Sequence, residues 1–149
     1  MLTAGPCTLL HVGVHAISYT ALLKANAPDP ALLAFQAVCF LSCCYFGFYG
    51  TWLWLQADST DRLYGYSSGA QQLAEMMVAF QLWDAAVSLC IKKLRVPEMI
   101  GHHLVTALLA YLCTAPFVHY YAVQQCELAT THMTKSSMDA CTDFFLGSG

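Results

Sequence analysis

The chain has 149 residues, enough for one domain, with 58% hydrophobic and only 10% charged residues, against roughly 25% charged in ordinary globular chains. A soluble domain of this size needs more charge to cover its surface, so the composition implies a polytopic membrane protein with lipid as much of its solvent. The net charge of -3 comes with no basic patch, which argues against a nucleic-acid-binding surface.

Charge and proline divide the chain into five apolar segments. The first, "CTLLHVGVHAISYTALL" at 7–23, has no Lys or Arg before it and so reads as a retained helix rather than a signal peptide. After the loop "KANAPDP" comes a second segment, 31–55, long enough to span a bilayer with tilt. Its Trp52 and Trp54 lie where an interfacial aromatic belt would sit. The polar stretch 56–72 follows, then a third segment at 73–91 closed by "KKLRVPE". The fourth, 99–114, and the fifth, 117–133, are split by Ala115-Pro116 and are short for full spans, which suits a helical hairpin. Residues 134–149 form a polar tail. The expected architecture is an all-α transmembrane helix bundle of about five segments, with one domain over 7–133.

The eight cysteines form no C-x-x-C pair, so a structural zinc site is not expected. Cys39, Cys43, Cys44, Cys90, Cys113 and Cys126 sit in apolar runs and read as small packing residues. Lys92, Lys93 and Arg95 crowd one short loop, which the positive-inside rule assigns to the cytosol. Alternation then puts loop 24–30 and the tail on the same side, and loop 56–72 in the lumen.

Four segments each carry a polar stripe at helical spacing. His11, His15 and Ser18 share a face of the first. Gln81, Asp84 and Ser88 share one of the third, and Tyr120, Gln124, Glu127 and Thr131 one of the fifth. In the fourth, at about 100° per residue, Cys113, Thr106, Ala110, His103, Thr114 and Ala107 fall within roughly 140° of His102 on one side. Tyr111, Leu104, Leu108, Leu112, Val105 and Leu109 fill the opposite arc. Small and polar residues face neighbouring helices in membranes, so both His102 and His103 are expected to look inward, onto a polar intramembrane cavity. An acid such as Asp84 costs roughly 2.5–3.5 kcal/mol at a helix centre on insertion scales. A histidine partner is the natural offset, and a carboxylate beside imidazole also raises its basicity. Asp84 is the first choice for that pairing and Glu127 the second. Glu75, on the opposite face from Asp84, reads as interfacial.

The stretch "DRLYGYSSGAQQLAEMMVAFQLWDAAVSL" at 61–89 resembles the TLC domain family, in its D-R-x-Y-G-Y loop and the following helix with Trp83-Asp84. "VPEMIGHHLVT" is similar to the family's paired histidine with a downstream threonine. "FVHYYAVQQCELATTHM" resembles the next helix, and "LLHVGVHAISYTALL" the early one. The resemblance covers about residues 8–133. It implies a membrane domain, usually in the endoplasmic reticulum, with a role in lipid synthesis, sensing, trafficking or homeostasis. Ceramide synthases of the family transfer an acyl group from acyl-CoA to a sphingoid amine, and their paired histidine would correspond to His102 and His103. Their H-D-x-x-D motif is absent here, which favours the non-synthase branch. Family members usually continue with at least one more helix, so the chain is expected to be C-terminally incomplete.

Three functions follow as expectations. The first is a lipid-handling protein in sphingolipid or general lipid homeostasis, with the cavity lined by His11, His15, Gln81, Ser88, Thr106, Tyr120, Gln124 and Thr131. The second is an acyltransferase with acyl-CoA as cosubstrate, in which His102 or His103 acts as base and Asp84 or Glu127 orients it. The third, a diiron lipid hydroxylase, is suggested by "HVGVH" at 11–15, but the chain has six histidines and lacks the further boxes such enzymes use. No resident cofactor or metal is expected. The expected partners are membrane lipid, and a second copy or partner helices that complete the bundle.

Overall fold

The computed structural model describes residues 4–58 and 65–115 of the chain. They form four α-helices: α1 over Ala4–Lys24, α2 over Pro30–Gln56, α3 over Ser68–Cys90 and α4 over Pro97–Leu112, with a short 3-10 turn at Lys92–Leu94. Among the described residues there is no strand. The fifth expected segment and the tail lie outside the described residues.

Local chemistry sets the helix ends. Lys24 sits in the last turn of α1, where a cation meets the negative end of the helix dipole. The chain then turns through Asn26 and Asp29, both with φ of 53°, a left-handed conformation that short polar side chains tolerate. Asp29 caps α2 by accepting from the Leu32 N–H at 3.3 Å, and Pro30 pre-sets the first helical residue. α3 begins at Ser68, five residues ahead of the apolar run expected at 73, because Ser67 caps it by accepting from the Ala70 N–H at 3.3 Å. Its first turn runs close to α2, since a Cβ on Gly69 would lie 2.8 Å from Leu53 Cδ2. At the other end the Arg95 Nε–H donates to the Leu89 carbonyl at 2.9 Å, covering one of the acceptors a helix end leaves free.

Three helices, α1, α2 and α3, are long and apolar enough to cross a membrane, which makes this an integral membrane protein. α4, with 16 residues, is about 24 Å long, short of the roughly 30 Å of a bilayer core. An ion pair between Lys93 and Asp29 ties the turn before α2 to the turn after α3, so both lie at one end of the bundle. The Lys93 ammonium, followed by the Leu32 N–H, holds the Asp29 carboxyl below the usual carboxylate range.

The helix α3 is the hub, packing against α1, α2 and α4. Its most apolar stretch is 61% buried inside the bundle, against 6% for α1. The core it builds joins Leu73, Met77, Phe80 and Trp83 to Val38 and Phe46 of α2. Trp83 stacks on Phe35 with ring centroids 5.7 Å apart. On the outer faces Leu9, Ile17, Phe48 and Leu55 are exposed, as lipid-facing residues must be.

Candidate functional site

Asp84 is fully buried, with none of its surface exposed. Helical spacing puts Gln81, Asp84 and Ser88 on one side of α3, and the structure turns that side toward α4. His103 Nε2 lies 3.2 Å from Asp84 Oδ1, and His103 Nδ1 lies 2.8 Å from Gln81 Oε1. Ser88 Oγ donates to Asp84 Oδ1 at 3.2 Å. From α2, the Cys39 thiol donates to Asp84 Oδ2 at 3.9 Å. Three helices thus meet in one hydrogen-bonded chain.

The hydrogen count of that chain follows from donor and acceptor roles. With the Gln81 amide oxygen toward the ring, that oxygen can only accept, so Nδ1 of His103 carries a hydrogen and donates it. One proton is then shared between Nε2 and Asp84 Oδ1. On either atom it leaves the pair with no net charge, as an imidazolium with a carboxylate or an imidazole with a carboxylic acid. A neutral, hydrogen-bonded pair meets the cost of placing an acid in the membrane interior.

His102 behaves differently. The expectation that both histidines look inward is corrected: His103 is 2% exposed, whereas His102 is exposed. The buried set on α4 is His103, Thr106, Ala107, Ala110 and Cys113. These fill an arc of about 120° at 100° per residue, and His102 falls just past its edge. Among the described residues α4 packs mainly on α3, so a single neighbour covers a narrower arc than the small residues mark out. The His102 ring stands edge-on to His103 at 5.6 Å, and neither of its nitrogens has a partner among the described residues. Thr106, expected to line a cavity, donates its hydroxyl back to the His102 carbonyl at 2.8 Å.

The first helix forms a separate histidine site. His11 Nδ1 donates to the Cys7 carbonyl at 2.7 Å, so Nε2 accepts from the Ser42 hydroxyl at 3.2 Å. Its ring stacks on Trp83 at 5.8 Å. His15, one turn on, meets the edge of Trp83 at 5.7 Å, and its Nδ1 is buried without a hydrogen bond. Both His11 nitrogens are committed within the bundle, so the H-x-x-x-H spacing serves helix packing here. Among the described residues no three His, Cys, Asp or Glu side chains come together as a metal site.

Glu75 is also corrected. It is 7% exposed and accepts from Gln71 Nε2 at 3.5 Å. Because α3 starts at Ser68, Glu75 lies two turns inside the helix rather than at its mouth. Tyr120, Gln124, Glu127 and Thr131 lie outside the described residues. The residues that sequence reasoning missed are Cys39 and Ser42. They sit on the one expected segment without a His, Asp, Glu, Lys or Arg, and their only signal is a small-residue face, Cys39, Ser42 and Cys43, at helical spacing.

A family model described as the TLC domain matches residues 33–126. The matched stretch contains Cys39, Gln81, Asp84, Ser88, His102 and His103, and leaves out His11 and His15. No curated protein and no solved structure gives a significant match. The match takes in well over half of the chain, and this bundle of membrane-spanning helices belongs to the TLC domain family.

Proposed function

We propose that the protein acts in lipid homeostasis in the endoplasmic reticulum membrane, engaging a lipid headgroup of the sphingolipid kind at the histidine–acid cluster of α3 and α4. The observation that supports this reading is the division between the two histidines. His103 is held on both ring nitrogens by Gln81 and Asp84, while His102 beside it is exposed, with neither nitrogen partnered among the described residues. The cluster sits shallow in the membrane. Asp84 is six residues from the end of α3 and His103 six from the start of α4, about 9 Å along each helix from the end bearing Lys92, Lys93 and Arg95. A headgroup reaches that depth from the cytosolic face that the basic loop predicts. The role of the cluster is tested by His102→Ala and Asp84→Asn, read as cellular lipid profile per molecule of protein. His102→Ala is expected to keep protein level and lose the lipid effect. Normal lipids per molecule in both variants would overturn the reading.

A second reading is favoured by the same free imidazole. In an acyltransferase, His102 would take the proton from a lipid amine or hydroxyl as it attacks the thioester carbonyl of acyl-CoA. The C–S bond would break and coenzyme A leave as the thiol. His103 and Asp84 would orient the neighbouring backbone and hold charge nearby, and Glu127 is a further candidate. The absent H-D-x-x-D pattern weighs against this reading. Labelled acyl-CoA with a sphingoid base separates the two, since only the second yields labelled amide. A second copy of the chain, or helices of another protein, would complete the bundle in either case.

A further inference from the structure

Between α1 and α2 lies a cavity of about 280 Å³, open on one side. Leu10 and Leu41 stand at its mouth, 59% and 56% exposed. Val38 and Phe46 form its floor, 2% and 4% exposed. Val14 and Tyr45 make its walls. Ser42 is mid-way along the 27 residues of α2, so the cavity opens at the centre of a membrane-spanning helix.

We infer that this groove seats one hydrocarbon chain of a membrane lipid. The inference rests on the lipid-handling reading above and adds where the apolar part of the lipid goes. Three observations commit it to that occupant. At mid-span the mouth faces the bilayer core, where aliphatic chains are the surrounding matter. The cavity is just under the roughly 300 Å³ at which small-molecule pockets begin, which suits one chain and leaves no room for a headgroup. Beside the Tyr45 phenol in its wall, its polar members His11 and Ser42 spend their hydrogens on Cys7 and on each other, and the rest of the lining is aliphatic, aromatic or thioether, which suits a hydrocarbon occupant.

Through His11 the groove adjoins α3, the helix that carries the acid. His11 stacks on Trp83, and Trp83 is the residue before Asp84.

The test uses the full chain in nanodiscs of phosphatidylcholine doped with a phosphatidylcholine that carries a diazirine in its acyl chain. Leu104 and Leu108 on α4, 52% and 58% exposed, are the controls, because they are as open to lipid as Leu10 and Leu41 but lie on a convex surface. Photolabelling is expected to be concentrated at Leu10 and Leu41 over the two controls. Val14→Phe fills the groove and should bring labelling at Leu41 down to that at Leu108. Leu10→Trp plugs the mouth from an exposed position, and does the same if Val14→Phe fails to fold. Equal labelling at all four leucines, or enrichment that survives a folded plugging variant, overturns the inference. Enrichment at the groove with a silent His102→Ala would support the groove while overturning the functional reading. Flat labelling with an active His102→Ala phenotype would do the reverse.

Discussion

Two helix contacts in this protein each carry a buried histidine hydrogen-bonded across the interface, and they solve different problems. Between α3 and α4, His103 meets an amide oxygen and a carboxylate. Between α1 and α2, His11 meets a backbone carbonyl and a hydroxyl. The second contact is neutral from end to end, so it is interhelical glue of the ordinary membrane kind. The first contains an acid, and removing either member strands the other in a medium that cannot solvate it. The difference teaches that a histidine in a membrane helix is informative chiefly through its partner. For these two buried rings, the one without an acid is packing, and the one with an acid shares a proton with it.

The sharpest way to break this comparison is to take away the acid. Asp84→Ala is expected to destabilise the protein by about 3–5 kcal/mol, the usual range for orphaning one member of a buried pair. Replacing both members, Asp84→Leu with His103→Leu, should recover most of that loss, since an apolar pair needs no partner. Denaturant unfolding in mixed micelles measures both. A single-variant cost below that of the double variant would show that no pair exists.

Next in size is the packing beneath the pair. Ala107 is 6% exposed and faces α3, whereas Leu108 is 58% exposed. Ala107→Leu should cost about 1–3 kcal/mol by overpacking and push His103 away from Asp84. Leu108→Ala should stay within about 0.5 kcal/mol. The reverse ranking in thermal denaturation would place α4 with its other face inward.

The smallest effect belongs to the neutral contact. A double-mutant cycle on His11→Ala and Ser42→Ala should give a coupling near 0.6 kcal/mol, the average for interhelical hydrogen bonds in membranes. A coupling as large as that between Asp84 and His103 would erase the distinction between the two sites.

Much of the fold was legible because insertion into lipid is demanding. The runs that became α1, α2 and α3 are marked off by charge, proline and apolar length, and the acid Asp84 calls for a partner, for which a histidine on another helix is the natural candidate. What could not be read depends on neighbours. The helical wheel of α4 separates small from bulky residues, but how much of the small arc is covered depends on how many helices pack there, and so the wheel alone turns His102 inward. Glu75 reads as interfacial in the sequence because the polar residues before it hide the Ser67 cap that starts α3 early. Cys39 and Ser42 were passed over because neither thiol nor hydroxyl is costly enough in lipid to announce a partner.

The order of the helices has a consequence for synthesis. Asp84 leaves the ribosome nineteen residues before His103, a delay of roughly one to four seconds at 5–20 residues per second. Through that interval α3 must hold an acid in or near the bilayer with its principal partner still inside the ribosome. The groups already available are the Ser88 hydroxyl one turn along the same helix and the Cys39 thiol on α2. In the finished protein these are minor contacts. During assembly they are the first shelter the acid has, and they let α3 wait against α2 until α4 arrives with the imidazole.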